Sequence, residues 1–223
     1  MNPLSVLRDA LYFFRRHLWT IARLCLPLVV LESLGKQWVA HATGPEGAPL
    51  YDIFIGLLFY PLYTAVLILF LDARSNERHV AGRELLAMAL RLWPAFALLA
   101  AISTLVIMFG MSLFLLPGLW VMVKLVFAEY FLVLRNRTPL GAIQDSFQLT
   151  NGYFWQILGC VLAVMVPLWL LDGLSSMVWS DTPAPWLMLV IDSANGFLQL
   201  FTSVVVFRLF MLIEGPRLPR DAQ

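Results

Sequence analysis

Apolar and polar positions fall in long blocks along this chain. Six apolar runs, about Leu18–Leu34, Ile53–Leu71, Trp93–Leu116, Gly118–Leu134, Tyr153–Leu171 and Trp186–Ile213, are separated by segments that gather most of the charge. A helix needs about 20 apolar residues to cross a bilayer, so each run predicts one crossing. Backbone in lipid must satisfy its own hydrogen bonds, and runs of this length point to helices rather than barrel strands. Pro117-Gly118 leaves space only for a tight turn, which predicts a hairpin of spans three and four.

Three of the polar segments are amphipathic. Before span one, Leu4, Leu7, Leu11 and Phe14 recur at helical spacing, opposite Arg8, Asp9, Tyr12, Arg15 and Arg16. Before span five, Leu140, Ile143 and Phe147 form a stripe opposite Gln144, Asp145 and Gln148. Asn2-Pro3 and Thr138-Pro139 give both segments the same start signal, a capping side chain followed by proline at the first helical position. A third segment, Arg83–Leu92, precedes span three with Glu84, Ala87 and Arg91 towards water. Such helices lie in the membrane interface, apolar face down, with basic residues near anionic headgroups. The headgroup candidates are Arg8, Arg15, Arg16, Arg83, Arg91, Arg135 and Arg137.

Two of these segments are one pattern used twice. Pro3–Trp19 lies over Pro139–Trp155 at a constant offset of 136, with Pro3/Pro139, Leu4/Leu140, Asp9/Asp145 and Trp19/Trp155 coinciding. The ends of spans four and six also align, Ala128–Asn136 over Phe207–Gly215, which sets Glu129 over Arg208 and Arg135 over Glu214. The chain therefore parses into one membrane domain of three pseudo-repeated units, 1–78, 79–135 and 136–223. The expected fold is all-α and polytopic, with six transmembrane helices and two or three interfacial amphipathic helices.

Composition agrees with the block pattern. Of 223 residues 61% are hydrophobic and 13% charged, about half the charge of a soluble domain. Arg8, Arg15, Arg16, Arg74, Arg78, Arg83, Arg91, Arg135, Arg137, Arg217 and Arg220 fall on one side of the spans, against Lys36 alone on the other. The positive-inside rule then puts both termini in the cytoplasm. The charge-interrupted N-terminus does not resemble a cleavable signal peptide. A net charge of +1, without a basic tail or an aromatic-basic platform, gives no sign of a nucleic-acid partner.

Candidate chemistry is confined to ionisable groups at membrane depth, which cost about 2.5–3.5 kcal/mol each on insertion scales. They are Arg23, Glu32, Lys124, Glu129, Asp192 and Arg208, with Asp172 at a span end. Arg23 and Arg208 lie near a face and can snorkel. In span six, Asp192, Asn195, Gln199, Thr202 and Ser203 share one helical face and suit a polar cavity, with Lys124 and Glu129 as its charged neighbours. Similar depth favours a Lys124–Asp192 pair. The plain reading is that these groups only bond neighbouring helices. His17, His41 and His79 are isolated, Cys25 and Cys160 sit in apolar runs, and no nucleotide, metal or hydrolase motif occurs. No enzyme chemistry and no cofactor is expected.

Pro139, Ala142, Ser146, Leu149, Thr150, Gly152, Phe154 and Trp155, preceded by Pro117-Gly118 and a span carrying Lys124, resemble the YciC-type bacterial inner-membrane proteins. They are also similar to the membrane domain fused to some glycerophosphodiester phosphodiesterases. The specific part is 117–155. Many members carry an acidic residue just after the fourth span, where this chain has Arg135. The resemblance implies a six-helix inner-membrane architecture and a link to lipid or the envelope. Two functions follow as expectations: a non-enzymatic module that binds or organises membrane phospholipid, or a small transporter or channel with a polar path along span six.

Overall fold

In the computed structural model, which describes residues 3–43, 48–178 and 185–215, these segments are helices joined by short connections. Eight helices follow in order: α1 (Pro3–Thr43), α2 (Ala48–Ser75), α3 (Gly82–Leu113), α4 (Leu115–Leu125), α5 (Ala128–Arg135), α6 (Pro139–Leu149), α7 (Phe154–Val178) and α8 (Pro185–Glu214). Six stretches are long and apolar enough to cross a membrane, with α4 and α5 together making the fourth. The fold is therefore an all-α, multi-pass membrane bundle. Helix α2 is central, packing against α1, α3, α5 and α8. Its segment from Thr64 to Ile68 is buried on every side.

Several boundaries differ from the sequence reading. Helix α1 continues to Thr43 and α2 begins at Ala48, so most of the expected loop 35–52 is helix. The α3–α4 turn is at Phe114, three residues before Pro117. Phe114 is extended, and Pro117 then sits in the first turn of α4, where a missing N–H costs nothing. Gly118 provides the close approach instead: a Cβ on Gly110 would stand 3.1 Å from the Gly118 Cα.

Only one of the three expected interfacial helices is a separate element. The segment before span one is continuous with it in the 41-residue α1, and Arg83–Leu92 is likewise the first part of α3. Helix α6 alone is set off, and Gly152 explains the difference. Gly152 has φ +87°, a conformation that favours glycine, and it follows Asn151 in the turn to α7. At the offset of 136 its counterpart is Arg16, which keeps α1 helical. Thr138 caps α6 by accepting from the Gly141 N–H at 3.3 Å, with Pro139 next in the chain, as its sequence predicts. Asn2, the cap expected for α1, lies outside the described residues, as do Arg217 and Arg220 and the side chain of Asp172.

The two copies nevertheless bury one register. Val6/Ala142, Ala10/Ser146, Phe14/Thr150, Ile21/Ile157 and Cys25/Val161 are buried at both members of each pair. The inward face thus keeps Phe14 of the expected stripes and adds the smaller Val6, Ala10, Ala142 and Ser146. Leu11 and Leu140, members of the expected apolar stripes, are exposed on the bundle exterior.

Candidate functional site

The fourth span is a broken helix, and the repair of the break organises its surroundings. Between α4 and α5 the Lys124 carbonyl and the Phe127 N–H leave the regular ladder. Ser146 of α6 takes both: its hydroxyl donates to the Lys124 carbonyl at 2.6 Å and accepts from the Phe127 N–H at 3.2 Å. Irregular backbone at membrane depth survives where protein satisfies it, and here a fully buried serine does so.

Lys124 is buried beside this break. Its ammonium donates to Asn151 Oδ1 at 2.6 Å and lies 5.7 Å from the Trp120 ring. The expected Lys124–Asp192 pair is therefore not formed. Helix α6 packs on α4 and brings Asn151 to the lysine, while Asp192 faces α1 and accepts from Gln37 Nε2 at 3.3 Å. Glu129 and Arg208 are separate as well. Tyr60 donates to Glu129 Oε1 at 2.7 Å, and Arg208 meets Asp9 at 3.5 Å.

The remaining stripe residues line one side of a run of cavities between α8 and its neighbours. A cleft of about 400 Å³ lies between α1 and α8, with Glu32, Lys36, Gln37, Asp192, Asn195 and Gln199 in its wall. Lys36 and Glu32 form an ion pair of 2.7 Å there. Tyr63, Gly196 and Gln199 are shared with a second cavity of about 210 Å³. Tyr60, Met165, Thr202 and Ser203 are shared between that one and a third of about 210 Å³, which contains Glu129. Polar side chains thus recur, among apolar ones, in the walls from the Lys36 end of the bundle to Glu129. Lys124 lines none of these three cavities.

Sequence reasoning missed the opposite wall. Tyr60, Tyr63 and Thr64 on α2 face the stripe; Glu32 of α1, one of the ionisable groups singled out in the sequence, lines the cleft at the Lys36 end. Their spacing of three and four along α2 was the available signal, hidden in an aromatic-rich apolar run. Gly196 is needed at this crossing, because a Cβ there would lie 2.9 Å from Val29 Cγ1.

A different cavity, about 790 Å³, opens where the starts of α1 and the ends of α2 and α8 converge. Phe13, Leu71, Val204, Phe207 and Met211 give it apolar walls, and Arg8, Asp9 and Arg208 lie in its lining. An almost wholly apolar groove of about 390 Å³ runs between α1 and α7, with Leu11, Val164, Pro167 and Phe201. Arg8 lines both.

The other expected headgroup residues divide into two groups. Arg135 pairs with Glu214 at 2.9 Å and Arg137 with Asp145 at 2.9 Å. Arg15, Arg16, Arg83 and Arg91 are exposed.

These features define the chain as a multi-pass helical membrane protein with a polar track and an apolar cleft. It is similar to the UPF0259 membrane protein of Photorhabdus laumondii subsp. laumondii, 20% identical over 191 residues that cover 82% of this chain and 73% of that protein. That likeness supports the resemblance to YciC-type membrane proteins. No family model and no solved structure matches the chain.

Proposed function

We propose that the protein is a non-enzymatic bacterial inner-membrane module that binds phospholipid and, by holding it, supports envelope homeostasis. The carrying observation is the position of Arg8 between two grooves. A two-chain phospholipid presents one phosphate above two acyl chains. A guanidinium flanked by the 790 Å³ cleft and the 390 Å³ groove matches that arrangement. The larger volume is within the roughly 300–1,000 Å³ of small-molecule sites. Arginine is suited to phosphate because its planar fork donates two parallel hydrogen bonds. Arg208 adds a second cation across the cleft, and its contact with Asp9 is long enough to yield to a phosphate.

In this reading both termini and the arginine-rich helix ends face the cytoplasm, so the cleft opens towards the inner leaflet. Arg15 and Arg16 on α1 and Arg83 and Arg91 on α3 then lie near anionic headgroups. The resemblance of 117–155 to the membrane domain fused to some glycerophosphodiester phosphodiesterases fits a lipid ligand. Native mass spectrometry of the protein released from mild detergent tests the proposal. Retained phospholipid, reduced several-fold in Arg8→Glu, is expected. A wild-type protein that carries no lipid would overturn it.

A further inference from the structure

We propose that Glu129 is a proton-binding site, served by water that enters the bundle at the Lys36 end and travels along the polar face of α8. This does not depend on the phospholipid cleft, which lies elsewhere in the bundle.

The geometry carries it in three steps. First, among the described residues Glu129 has no basic partner; its polar contact is the Tyr60 hydroxyl, donated to Oε1 at 2.7 Å. A carboxylate at membrane depth without a cation is costly, and uptake of a proton removes that cost. Second, the cavity holding Glu129 shares its walls with the next, and that one with the open cleft at Lys36. Each inner cavity, about 210 Å³, has room for several waters at about 30 Å³ apiece. Third, the Thr64 hydroxyl on the wall of the middle cavity is fully buried and has no protein partner among the described residues. A buried hydroxyl left this way is where an ordered water is expected.

The groups around Glu129 favour a proton over a metal cation. Helix α2 presents Tyr60 and Tyr63, and α5 itself presents Tyr130, whose hydroxyl is committed to the Ser203 carbonyl at 2.7 Å. Helices α3, α7 and α8 present Ser103, Met165 and Thr202, none of which titrates. Helix α6 adds no side chain to this cavity. The charged groups nearer the mouth are Glu32, Lys36, Asp52 and Asp192. One carboxylate and a few hydroxyls make a poor cage for a divalent ion, which takes six or more oxygens. In the proposed step a water in the track gives a proton to the Glu129 carboxylate, which becomes the neutral acid. That water takes a proton in turn from the next one towards the mouth, and the last takes one from the acidified solution at the Lys36 end, so that one proton is gained and no hydroxide remains.

Infrared difference spectroscopy of the protein in lipid nanodiscs tests this. Acidification is expected to raise a protonated-carboxyl band in wild type that is missing in Glu129→Gln. Tyr60→Phe should keep the band and move it to higher frequency, since the carbonyl loses a hydrogen bond. Gln199→Leu and Thr64→Val should leave the band's amplitude intact and slow its deuterium exchange about tenfold. Superimposable spectra for wild type and Glu129→Gln would overturn the site. Unchanged exchange in both track variants would overturn the route.

Discussion

Arg135 and Glu214 form a 2.9 Å ion pair, and they are positions that coincide when the ends of α5 and α8 are aligned in sequence. Phe131 and Phe210, aligned at the same offset of 79, also touch, with ring centroids 5.2 Å apart at 86°. Equivalent residues meet only near an axis that interchanges the copies, as in an isologous interface. The ends of α5 and α8 therefore run side by side as a pseudo-symmetric seam. The seam is complementary in charge, with arginine on one side of it and glutamate on the other.

That pair is partly exposed, so Arg135→Ala should cost less than about 1 kcal/mol. Glu214→Arg is different, because it sets two guanidiniums together at the axis. It should lower the thermal midpoint in detergent more than the alanine change does. The exchanged pair, Arg135→Glu with Glu214→Arg, should regain most of the loss. A double variant as unstable as Glu214→Arg would show that the seam is not interchangeable.

Ser146→Ala removes one hydroxyl and strands two backbone groups, the Lys124 carbonyl and the Phe127 N–H. Single interhelical hydrogen bonds in membranes average about 0.6 kcal/mol. Two stranded backbone groups should raise the cost above about 1 kcal/mol. The comparison is Ala10→Ser in the first copy, where no break waits for the hydroxyl and no gain is expected. Chemical unfolding in mixed micelles reads both.

Lys124 separates a structural charge from a working one. If the buried ammonium only caps the break through Asn151, Lys124→Met should be close to neutral in stability, as isosteric replacement of buried ionic groups often is. Asn151→Ala should be worse than Lys124→Met, because it leaves the charge without its partner. The double variant should resemble Lys124→Met. Thermal midpoints of the three variants settle the order.

The turn after α6 depends on glycine at a positive φ. Gly152→Val should cost about 1–3 kcal/mol through backbone strain, since open space surrounds the site and no clash is involved. Arg16→Gly at the equivalent position should cost only about 1 kcal/mol, the helix-propensity difference, and should not create a second break. Hydrogen exchange across residues 10–20 checks that α1 stays continuous.

The spans were legible because run length alone decides them, and the α8 stripe because five polar residues at helical spacing stand out in an apolar run. The separate α6 was not distinguishable from the start of α1 by amphipathicity. The difference rests on Asn151-Gly152 against Arg15-Arg16, a local backbone preference that periodicity does not register. Partners were less accessible still. Depth counted from span ends put Lys124 level with Asp192, but a broken fourth span and a folded-back α6 deliver Asn151 instead. Tyr60, Tyr63 and Thr64 read as ordinary members of an aromatic span until α8 lies beside them.

The lipid cleft is tested most directly by photo-crosslinking with a phospholipid that carries a reactive group in one acyl chain. The account predicts adducts concentrated at the start of α1 and the end of α8, around Phe13, Phe207 and Met211. Unlabelled lipid should compete them away, and Arg8→Glu should reduce them several-fold. Adducts spread evenly over the exposed apolar residues of all the spanning helices, indifferent to Arg8, would contradict it.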